Sequence, residues 1–513
     1  MAFFVNSKDI TVAGDSLIAG AEGGEIAVLK AGRELEVVNK NKLDKLRSTP
    51  AIVGDRLYLR TMRCTASIRT NRKRQIKPRA RLLRARTGVA PEEGGSVISH
   101  LSTVFRKMPH RKKDNEPEPL KLDRSKELLA RSDELIVPGC LVHKRNHDML
   151  EKGYPVYVER AEGANFWDVD GNKYIDYLMG FGPIVLGHAH PAVTEAIEKQ
   201  IRDGIVYSVG NPLEIELAER ILSHIPWAGR LAFMIGGSGA TSGAIRLMRA
   251  VTGRDLVLRC GYHGWHDWTS PKPGGVPPTC RALSIEFPYN DLEALEDLLK
   301  RHSGRVAGII VETLRFDGPD PDFLQECIDL AHWYDALCTF DEVKTGCRVD
   351  IGGMNVRMDL EPDLATYGKA WGNGLPASFI VGSEEVMTRE AAQNAWIAAT
   401  FHADTLSLVA IRTVLDELEA QGGIAHQWKL GKRMMDGVNA VCEEAGIGYR
   451  LKGWPPMPNP KTDEEDKERV LDMLRGCLAR GIYLHPGHAM FLSLAHTEDD
   501  IDYTIAAVED SLK

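Results

Sequence analysis

From about residue 120 to its end, the chain alternates short apolar runs with amphipathic stretches, and this alternation limits its fold more than any other feature. The apolar runs have the length and turn-bounded ends of buried strands; they are Leu231–Ile235, Leu256–Arg259, Val306–Val311, Cys338–Phe340, Leu364–Tyr367 and Phe379–Val381. Helical patterns lie between them, at Ala240–Val251, Leu292–His302 and Phe323–Tyr334. This order predicts an α/β fold with a doubly wound, mainly parallel sheet. Ligands of such sheets bind at the carboxyl ends of the strands.

The first 124 residues follow a different pattern. Residues 1–63 contain short strand-like runs, and the stretch AVLKAGRELEVVNKNKLDKLRSTPAIVGDRLYLRT resembles a single β-propeller blade. Residues 64–124 are basic and poor in apolar residues, which predicts a disordered linker. A basic arm for nucleic acid or an anionic surface, or a fused segment without function, are the alternatives. We therefore predict an irregular β-rich extension (1–63), a linker (64–124), a large domain with the first part of a small domain (125–400), and a small α+β C-terminal domain (401–513).

Composition excludes several classes of protein. The formal net charge of -8 does not favour nucleic acid as a partner of the whole chain. The nine cysteines show no CxxC pair and no zinc spacing, which favours free thiols in a reducing cytoplasm and no metal site. No apolar run is long enough to span a bilayer, and the first residues lack the pattern of a secretory signal. A cytoplasmic enzyme without a membrane segment is the expectation.

Three residue groups that follow predicted strands carry the chemistry. Gly236, Gly237 and Ser238 lie in a glycine-rich turn that opens a helix, where backbone N–H groups and the helix dipole favour a phosphate. Asp341 ends an apolar strand and is suited to hold a protonated ring nitrogen. Lys369 follows another strand, where desolvation makes its amine neutral enough for imine chemistry.

Each of these signals alone has an ordinary explanation. Glycine-rich turns before helices are common, an Asp at a strand end is usually solvated, and a lone lysine usually lies on the surface. The turn matches neither G-x-G-x-x-G nor a Walker loop, which argues against a dinucleotide or a nucleoside triphosphate. Together the three groups are the anchors that pyridoxal 5'-phosphate (PLP) requires.

Several motifs then resemble the class III aminotransferase family, and within it the glutamate-1-semialdehyde 2,1-aminomutase group most. They are NFWDVDGNKYIDYLMGFGPIVLGHAHP, GYHGWHD, FDEVKTGCR, YGKAWGNGLP and LSLAHTEDDID, in order over roughly residues 126 to 513. The resemblance implies a PLP-dependent transferase of fold type I. It also implies a homodimer with shared active sites.

The resemblance assigns roles to individual residues. Lys369 matches the Schiff-base lysine, Asp341 the partner of the pyridinium nitrogen, and Gly237 and Ser238 the phosphate turn. Val343 matches the residue packed on one face of the cofactor ring, Tyr262 matches the residue stacked on the other face, and His263 belongs to the same cofactor loop. Lys369, Asp341 and Tyr262 are thus the predicted catalytic residues. Thr400 resembles the threonine given to the phosphate by the partner subunit; a core tyrosine at 262 and a helix cap at 400, before a helix over 402–420, are the alternatives.

The sequence departs from the family pattern where substrates bind. In the phosphate turn, Gly239 stands where the family usually has an acidic residue. The segment PGCLVHKR stands where the aminomutases have GGVNSPVR. Arg145 therefore matches the carboxylate-binding arginine only if the alignment is shifted by one residue. Asp317 stands where an asparagine normally meets the phenolic oxygen of the cofactor, and Arg315 beside it is a candidate to compensate or to bind a substrate acid. The aminomutase glutamate before FLS is also absent, replaced by the segment His485–Phe491.

These observations lead to three interpretations of function. The first is a transaminase that moves an amino group between an amine or amino acid and a keto acid or aldehyde. The second is an intramolecular aminomutase, an isomerase that needs no external acceptor. The third is an inactive PLP-fold binding protein, against which the retention of Lys369, Asp341 and Tyr262 counts.

Overall fold

A computed structural model of the chain describes residues 120–137, 141–272, 274–315 and 317–513, the side chains of 141–145 excepted, and the backbone of seven strands before residue 70. The chain divides into two units, Met1–Arg111 and Lys112–Lys513. None of the helices in these described parts has the length and apolar character that crossing a bilayer requires.

The first unit contains two antiparallel sheets. One has the strands β1 (Ile10–Ala13), β2 (Ser16–Gly20), β3 (Glu25–Lys30) and β4 (Glu36–Lys42), and the other has β5 (Ala51–Val53), β6 (Arg56–Arg60) and β7 (Thr65–Arg69). The stretch that resembles one propeller blade therefore contributes strands to both sheets. Strand β7 also lies inside the range predicted as a linker. The basic residues from 70 to 119 lie outside the described residues.

The second unit begins with elements that flank its main sheet. In chain order they are α1 (Asp123–Leu135), α2 (Leu141–Glu151), β8 (Val158–Glu162), β9 (Asn165–Asp168), β10 (Lys173–Asp176), α3 (Pro191–Asp203) and α4 (Pro212–Ser223). Local sequence defines the start of α4. Asn211 and Glu214 form a reciprocal capping box, and Pro212 occupies the first helical position.

The main sheet has seven strands. They are β11 (Arg230–Ile235), β12 (Leu256–Cys260), β13 (Ser284–Glu286), β14 (Val306–Glu312), β15 (Leu337–Asp341), β16 (Leu364–Tyr367) and β17 (Ala377–Gly382), in the spatial order β11–β17–β16–β15–β14–β12–β13. All neighbours pair in parallel except β17, which is antiparallel to β11 and β16. The predicted mainly parallel sheet is therefore confirmed.

Helices cover both faces of this sheet. The helices along it are α5 (Gly236–Thr252), α6 (Pro278–Ala282), α7 (Leu292–Arg301), α8 (Phe323–Trp333), α9 (Gly353–Arg357), α10 (Arg389–Ala395) and α11 (Thr405–Ala420). Alternate strand residues enter different cores, as the period of two in a strand requires. Val257 and Ile380 pack in one core with Ala244 of α5, whereas Leu258 and Phe379 belong to the larger core on the other face.

The C-terminal part adds α12 (Gly423–Glu444), β18 (Tyr449–Lys452), β19 (Asn459–Thr462), α13 (Lys467–Ala479), β20 (Ile482–Tyr483) and α14 (Glu498–Ser511). Strand β20 pairs in parallel with β10, so that residues near 175 and near 482 share one small sheet. Both ends of the second unit therefore contribute to this sheet, and the small domain over 401–513 stays a prediction.

Arg348 lies in the interior of this unit and forms no ion pair with a carboxylate among the described residues. Its guanidinium is fully buried and donates hydrogen bonds to the carbonyl oxygens of Gly182 (2.7 Å), Ile184 (3.0 Å) and Leu492, and to the side chain of Gln427 (3.2 Å). Burial lowers the pKa of Arg348 to about 9. The charge is therefore stabilised by dipoles from distant parts of the chain.

Candidate active site

The three predicted anchor groups lie at one edge of the main sheet. The turn at Gly236 follows β11, Asp341 ends β15, and Lys369 comes two residues after β16. Because β14, β15 and β16 are parallel neighbours, their carboxyl ends meet at this edge. Glu312, at the end of β14, is the register partner of Asp341.

Asp341 is buried and held by a histidine. Its side chain lies at the end of β15 with 5% of its surface exposed, and its Oδ2 is 2.7 Å from Nδ1 of the buried His263. Its Oδ1 accepts a hydrogen bond from the backbone N–H of Val343 (3.1 Å). The Trp268 ring lies nearly parallel to the His263 ring. His263 therefore fixes the orientation of the carboxylate, as a buried charge requires.

The turn predicted to bind phosphate forms the start of α5. The N-cap residue Ile235 provides no side-chain cap. The backbone N–H of Gly236 donates to the carbonyl of Pro376 (2.8 Å), so the N–H groups that follow it in the first helical turn are the ones available to an anion. A Cβ at Gly237 would lie 2.8 Å from Val343, and one at Gly264 would lie 2.3 Å from the Ser238 hydroxyl. The close approach of these segments therefore requires glycine.

Hydrogen bonds fasten the loop after β12 to α5. Thr241 Oγ1 donates to the carbonyl of His263 (2.7 Å), and Ser242 Oγ lies 2.6 Å from Nδ1 of His266. His266 thus helps to hold this loop against α5. No group of His, Cys, Asp or Glu within the described residues could hold a metal ion.

Lys369 has a left-handed backbone conformation, and the pKa of its amine is lowered. It opens a short 3-10 helix (Lys369–Gly372) with φ 47, in the left-handed region that side chains other than glycine rarely adopt. Burial, and then the positive charge of Lys344, lower the pKa of Lys369. A lower pKa raises the neutral fraction of the amine, which is the form that attacks a carbonyl.

Lys344 and Glu312 form an ion pair that motif comparison did not single out. Lys344 Nζ lies 2.5 Å from Glu312 Oε1, and Glu312 Oε2 accepts a hydrogen bond from the backbone N–H of Tyr262 (3.2 Å). Burial alone would raise the pKa of Glu312, but Lys344 and the hydrogen bonds outweigh it, so this pKa is lowered. The lysine in FDEVKTGCR was the available signal; its partner becomes visible only when β14 and β15 are paired.

The remaining predicted residues lie in different settings. Tyr262 is on the same loop with 57% of its surface exposed, which contradicts a core tyrosine. Thr400 is exposed and does not cap the next helix, because α11 begins at Thr405 with Asp404 as its N-cap. The interpretation of Thr400 as a helix cap is therefore wrong.

The candidate substrate residues Arg315 and Asp317 have described side chains, whereas Arg145 does not. Arg315 is half-buried, and its Nε lies 3.4 Å from Glu312 Oε2. Asp317 is more than half exposed and pairs with Lys452 at 3.7 Å. Arg145 lies in α2, but its side chain is outside the described residues.

The arrangement fits PLP: an uncapped helix start that packs closely on Val343 at Gly237, a buried carboxylate oriented by histidine, and a lysine with a lowered pKa share one sheet edge. Residues 147–509 match the sequence model of the aminotransferase class III family. The chain belongs to the class III aminotransferases.

Similar proteins agree with this assignment. The chain is 32% identical to a 3-aminobutyryl-CoA aminotransferase of Cloacimonas acidaminovorans, over 77% of this chain and 98% of the relative. It is 34% identical to a glutamate-1-semialdehyde 2,1-aminomutase of Archaeoglobus fulgidus, over 77% of this chain and the whole relative. Its fold matches the PLP-bound FumI protein of Sphingopyxis sp. MTA144 with a TM-score of 0.70 and 28% identity, over 76% of this chain and 95% of that one. The predictions of a fold type I structure, of PLP as cofactor and of a PLP-dependent aminotransferase are confirmed.

Proposed function

We propose that this class III aminotransferase moves an amino group between two separate molecules, an amine or amino acid and a keto acid or aldehyde. The observation that supports a working site is the shared sheet edge, where the Asp341–His263 pair and the lysine with a lowered pKa come together. The bound cofactor supplies an electron sink that stabilises negative charge at the carbon bearing the amine. An inactive binding protein would not need this combination.

Each residue of the site has a distinct task in this proposal. Lys369 Nζ holds the cofactor and then moves the proton taken from the substrate carbon. Asp341, oriented by His263, keeps a negative charge where the ring nitrogen would lie. The start of α5, Gly236 to Ser238, holds the phosphate, and Val343 and Tyr262 enclose the ring.

The aminomutase alternative is supported by the similarity to the Archaeoglobus enzyme. An aminomutase needs one substrate whose amine donor and acceptor carbons both stay in the site, and no second molecule. The sequence lacks the aminomutase glutamate, and Arg145 matches the carboxylate-binding arginine only through a shifted register. Both changes favour separate donors and acceptors.

The deciding experiment is a visible spectrum of the purified protein during addition of amino donors. Transamination predicts that a donor bleaches the visible band and that a keto acid then restores it. Bleaching by glutamate-1-semialdehyde alone, with turnover in the absence of any keto acid, would establish the aminomutase instead.

Beside the larger effect of burial, Lys344 lowers and Glu312 raises the pKa of Lys369, so both change the pH at which its amine reacts. Lys344→Met removes a positive neighbour, so the pKa of Lys369 rises and the uptake of PLP by the cofactor-free protein needs a higher pH. Glu312→Gln removes a negative neighbour, so the same pH profile moves to lower pH. The rate of PLP uptake between pH 6 and pH 10 measures both shifts, and shifts of equal sign would contradict this arrangement.

A homodimer with shared active sites is part of the proposal. Thr400 lies between the exposed apolar side chains of Trp396 and Phe401. Thr405 joins this segment to the loop after α3 through hydrogen bonds to the carbonyls of Gly204 and Ile205, and that loop also exposes apolar side chains, with Val209 80% exposed. Exposed apolar side chains in adjoining segments are typical of an interface.

Val209→Asp is expected to convert the dimer into a monomer. A charge placed in an apolar interface must be desolvated without a partner, which disfavours association. Light scattering coupled to gel filtration would show about half the mass, at micromolar protein. Val251→Asp, at an exposed position near the end of α5, is the control and should remain dimeric. A Val209→Asp protein that stays dimeric would place the interface elsewhere.

The cytoplasm is the proposed location. In the described part of the chain seven cysteines are free thiols, six of them buried. Buried free thiols are suited to a reducing compartment.

A further inference from the structure

A cavity of about 710 Å³ lies beside the cofactor loop. Its walls come from three segments: the loop after β12, which carries Tyr262 and Thr269; the stretch of α6 and β13, which carries Arg281 and Ser284; and Arg315 after β14. Its volume is in the range of small-molecule sites. Tyr262 is shared between this cavity and the proposed cofactor site, so the two spaces adjoin.

Three guanidinium groups line the cavity, against two carboxylates. Arg259 pairs with Glu286 at 2.9 Å, and Arg315 pairs with Glu312. Asp267 is the second lining carboxylate. The side chain of Arg281 makes no hydrogen bond or ion pair with any described residue. The lining therefore has an excess of positive charge, with one guanidinium available to a ligand.

Buried polar atoms without partners surround the same space. Thr269 is 4% exposed, and its hydroxyl has no hydrogen-bond partner among the described residues. The Ser284 hydroxyl and the Arg259 Nε are also buried and without partners there. Unpaired buried groups of this kind are costly in a folded protein and call for a partner.

The missing partners share one chemistry. The hydroxyls of Thr269 and Ser284 can donate hydrogen bonds. The guanidiniums of Arg259 and Arg281 donate hydrogen bonds and also carry positive charge. An oxyanion with several acceptor oxygens, a phosphate or a carboxylate, matches such a set, because arginine binds both through paired hydrogen bonds. An amine or an apolar group would leave the donors unsatisfied.

We propose that this cavity binds an anionic group, phosphate or carboxylate, at the end of the amino substrate remote from its amine. This inference rests on the proposed transamination, because the tail is placed relative to a substrate that reacts at Lys369. It makes Arg281 and Thr269 specificity residues that contact the tail and leave the reacting carbon alone.

The first test is binding of inorganic pyrophosphate and of glutarate to the PLP-loaded protein by titration calorimetry. Arg281→Gln should weaken the preferred probe about 10-fold or more, the effect of losing one charged hydrogen bond. Thr269→Val removes only a hydroxyl and should weaken it about 3- to 10-fold. Arg305→Gln, an exposed arginine outside the cavity, removes the same charge and should change nothing. Preference for pyrophosphate assigns a phosphate tail, and preference for glutarate a carboxylate tail.

The second test uses three amines of equal length that end in a phosphate, a carboxylate or a methyl group. Arg281→Gln should raise KM for the preferred anionic donor about 10-fold, with kcat and the methyl-ended donor unchanged. If no donor bleaches the cofactor band, the proposed transamination fails while the calorimetry still tests the anion site. If donors react but neither probe binds, or if Arg281→Gln and Arg305→Gln behave alike, the anion site is wrong and transamination stands.

Discussion

Lys369→Ala is expected to remove the visible band of the bound cofactor and to slow half-transamination by about 10⁴-fold or more. The lysine both holds the cofactor and moves the substrate proton, and positioned proton transfer alone contributes about 10²- to 10⁴-fold. The residue stands at the end of β16 with its amine pKa lowered by burial and by Lys344. Absorbance spectra and single-turnover kinetics with an amino donor measure both effects.

The controls for this variant follow from its surroundings. Alanine takes over the left-handed φ that the lysine already has, and Lys369→Met, which keeps the apolar length of the side chain without its amine, should be equally inactive at an unchanged melting temperature. Lys300→Ala, at an exposed pair with Glu296, should retain the band and the rate. If the band persists in Lys369→Ala, borohydride reduction and peptide mass spectrometry would show whether Lys344 has taken the cofactor, and that result would overturn the assignment.

Asp341→Asn is expected to leave PLP bound and to slow half-transamination by about 10²- to 10³-fold. An amide lacks the negative charge that keeps the ring nitrogen protonated, and losing one preorganised electrostatic partner typically has an effect of this size. The expected signature is a loss in kcat with little change in the affinity for PLP. Stopped-flow bleaching of the visible band, together with equilibrium titration with PLP, separates the two.

A substitution at His263 separates the effect of the Asp341 charge from the effect of the orientation of its carboxylate. His263→Phe keeps the Asp341 carboxylate but removes its 2.7 Å partner, so a smaller loss, about 10-fold, is expected. Asp359→Asn, at an exposed left-handed position that asparagine tolerates, should be neutral. Equal kcat in wild type and Asp341→Asn would remove the carboxylate from the mechanism.

The positions of most strands were predictable from the sequence, because a buried strand is a short apolar run. Each of the six predicted strands lies within one of the observed strands β11, β12 and β14 to β17. The antiparallel direction of β17 was not accessible, since a strand buried on both faces is apolar whatever its direction. Strand β13 was missed, because it has three residues and none is fully buried.

The chemistry of single residues was also accessible, whereas their partners were not. Gly237, Asp341 and Lys369 each follow a strand in the printed sequence. The pairing of Asp341 with His263, 78 positions away, and of Lys344 with Glu312, 32 positions away, depends on which strands are neighbours. Sequence periodicity carries no information on that point, and the cavity lined by Arg281 and Arg315 depends on it as well.

Arg348 ties the timing of folding to the end of synthesis. Its acceptors at Gly182 and Leu492 lie 166 and 144 positions away in opposite directions, so the guanidinium is satisfied only after both ends of this unit have arrived. A chain still emerging from the ribosome lacks Leu492, so burying Arg348 at that stage would leave its guanidinium without one of its acceptors. We therefore expect one late, cooperative collapse of the catalytic unit, with its sheet edge completed only once translation has passed residue 492.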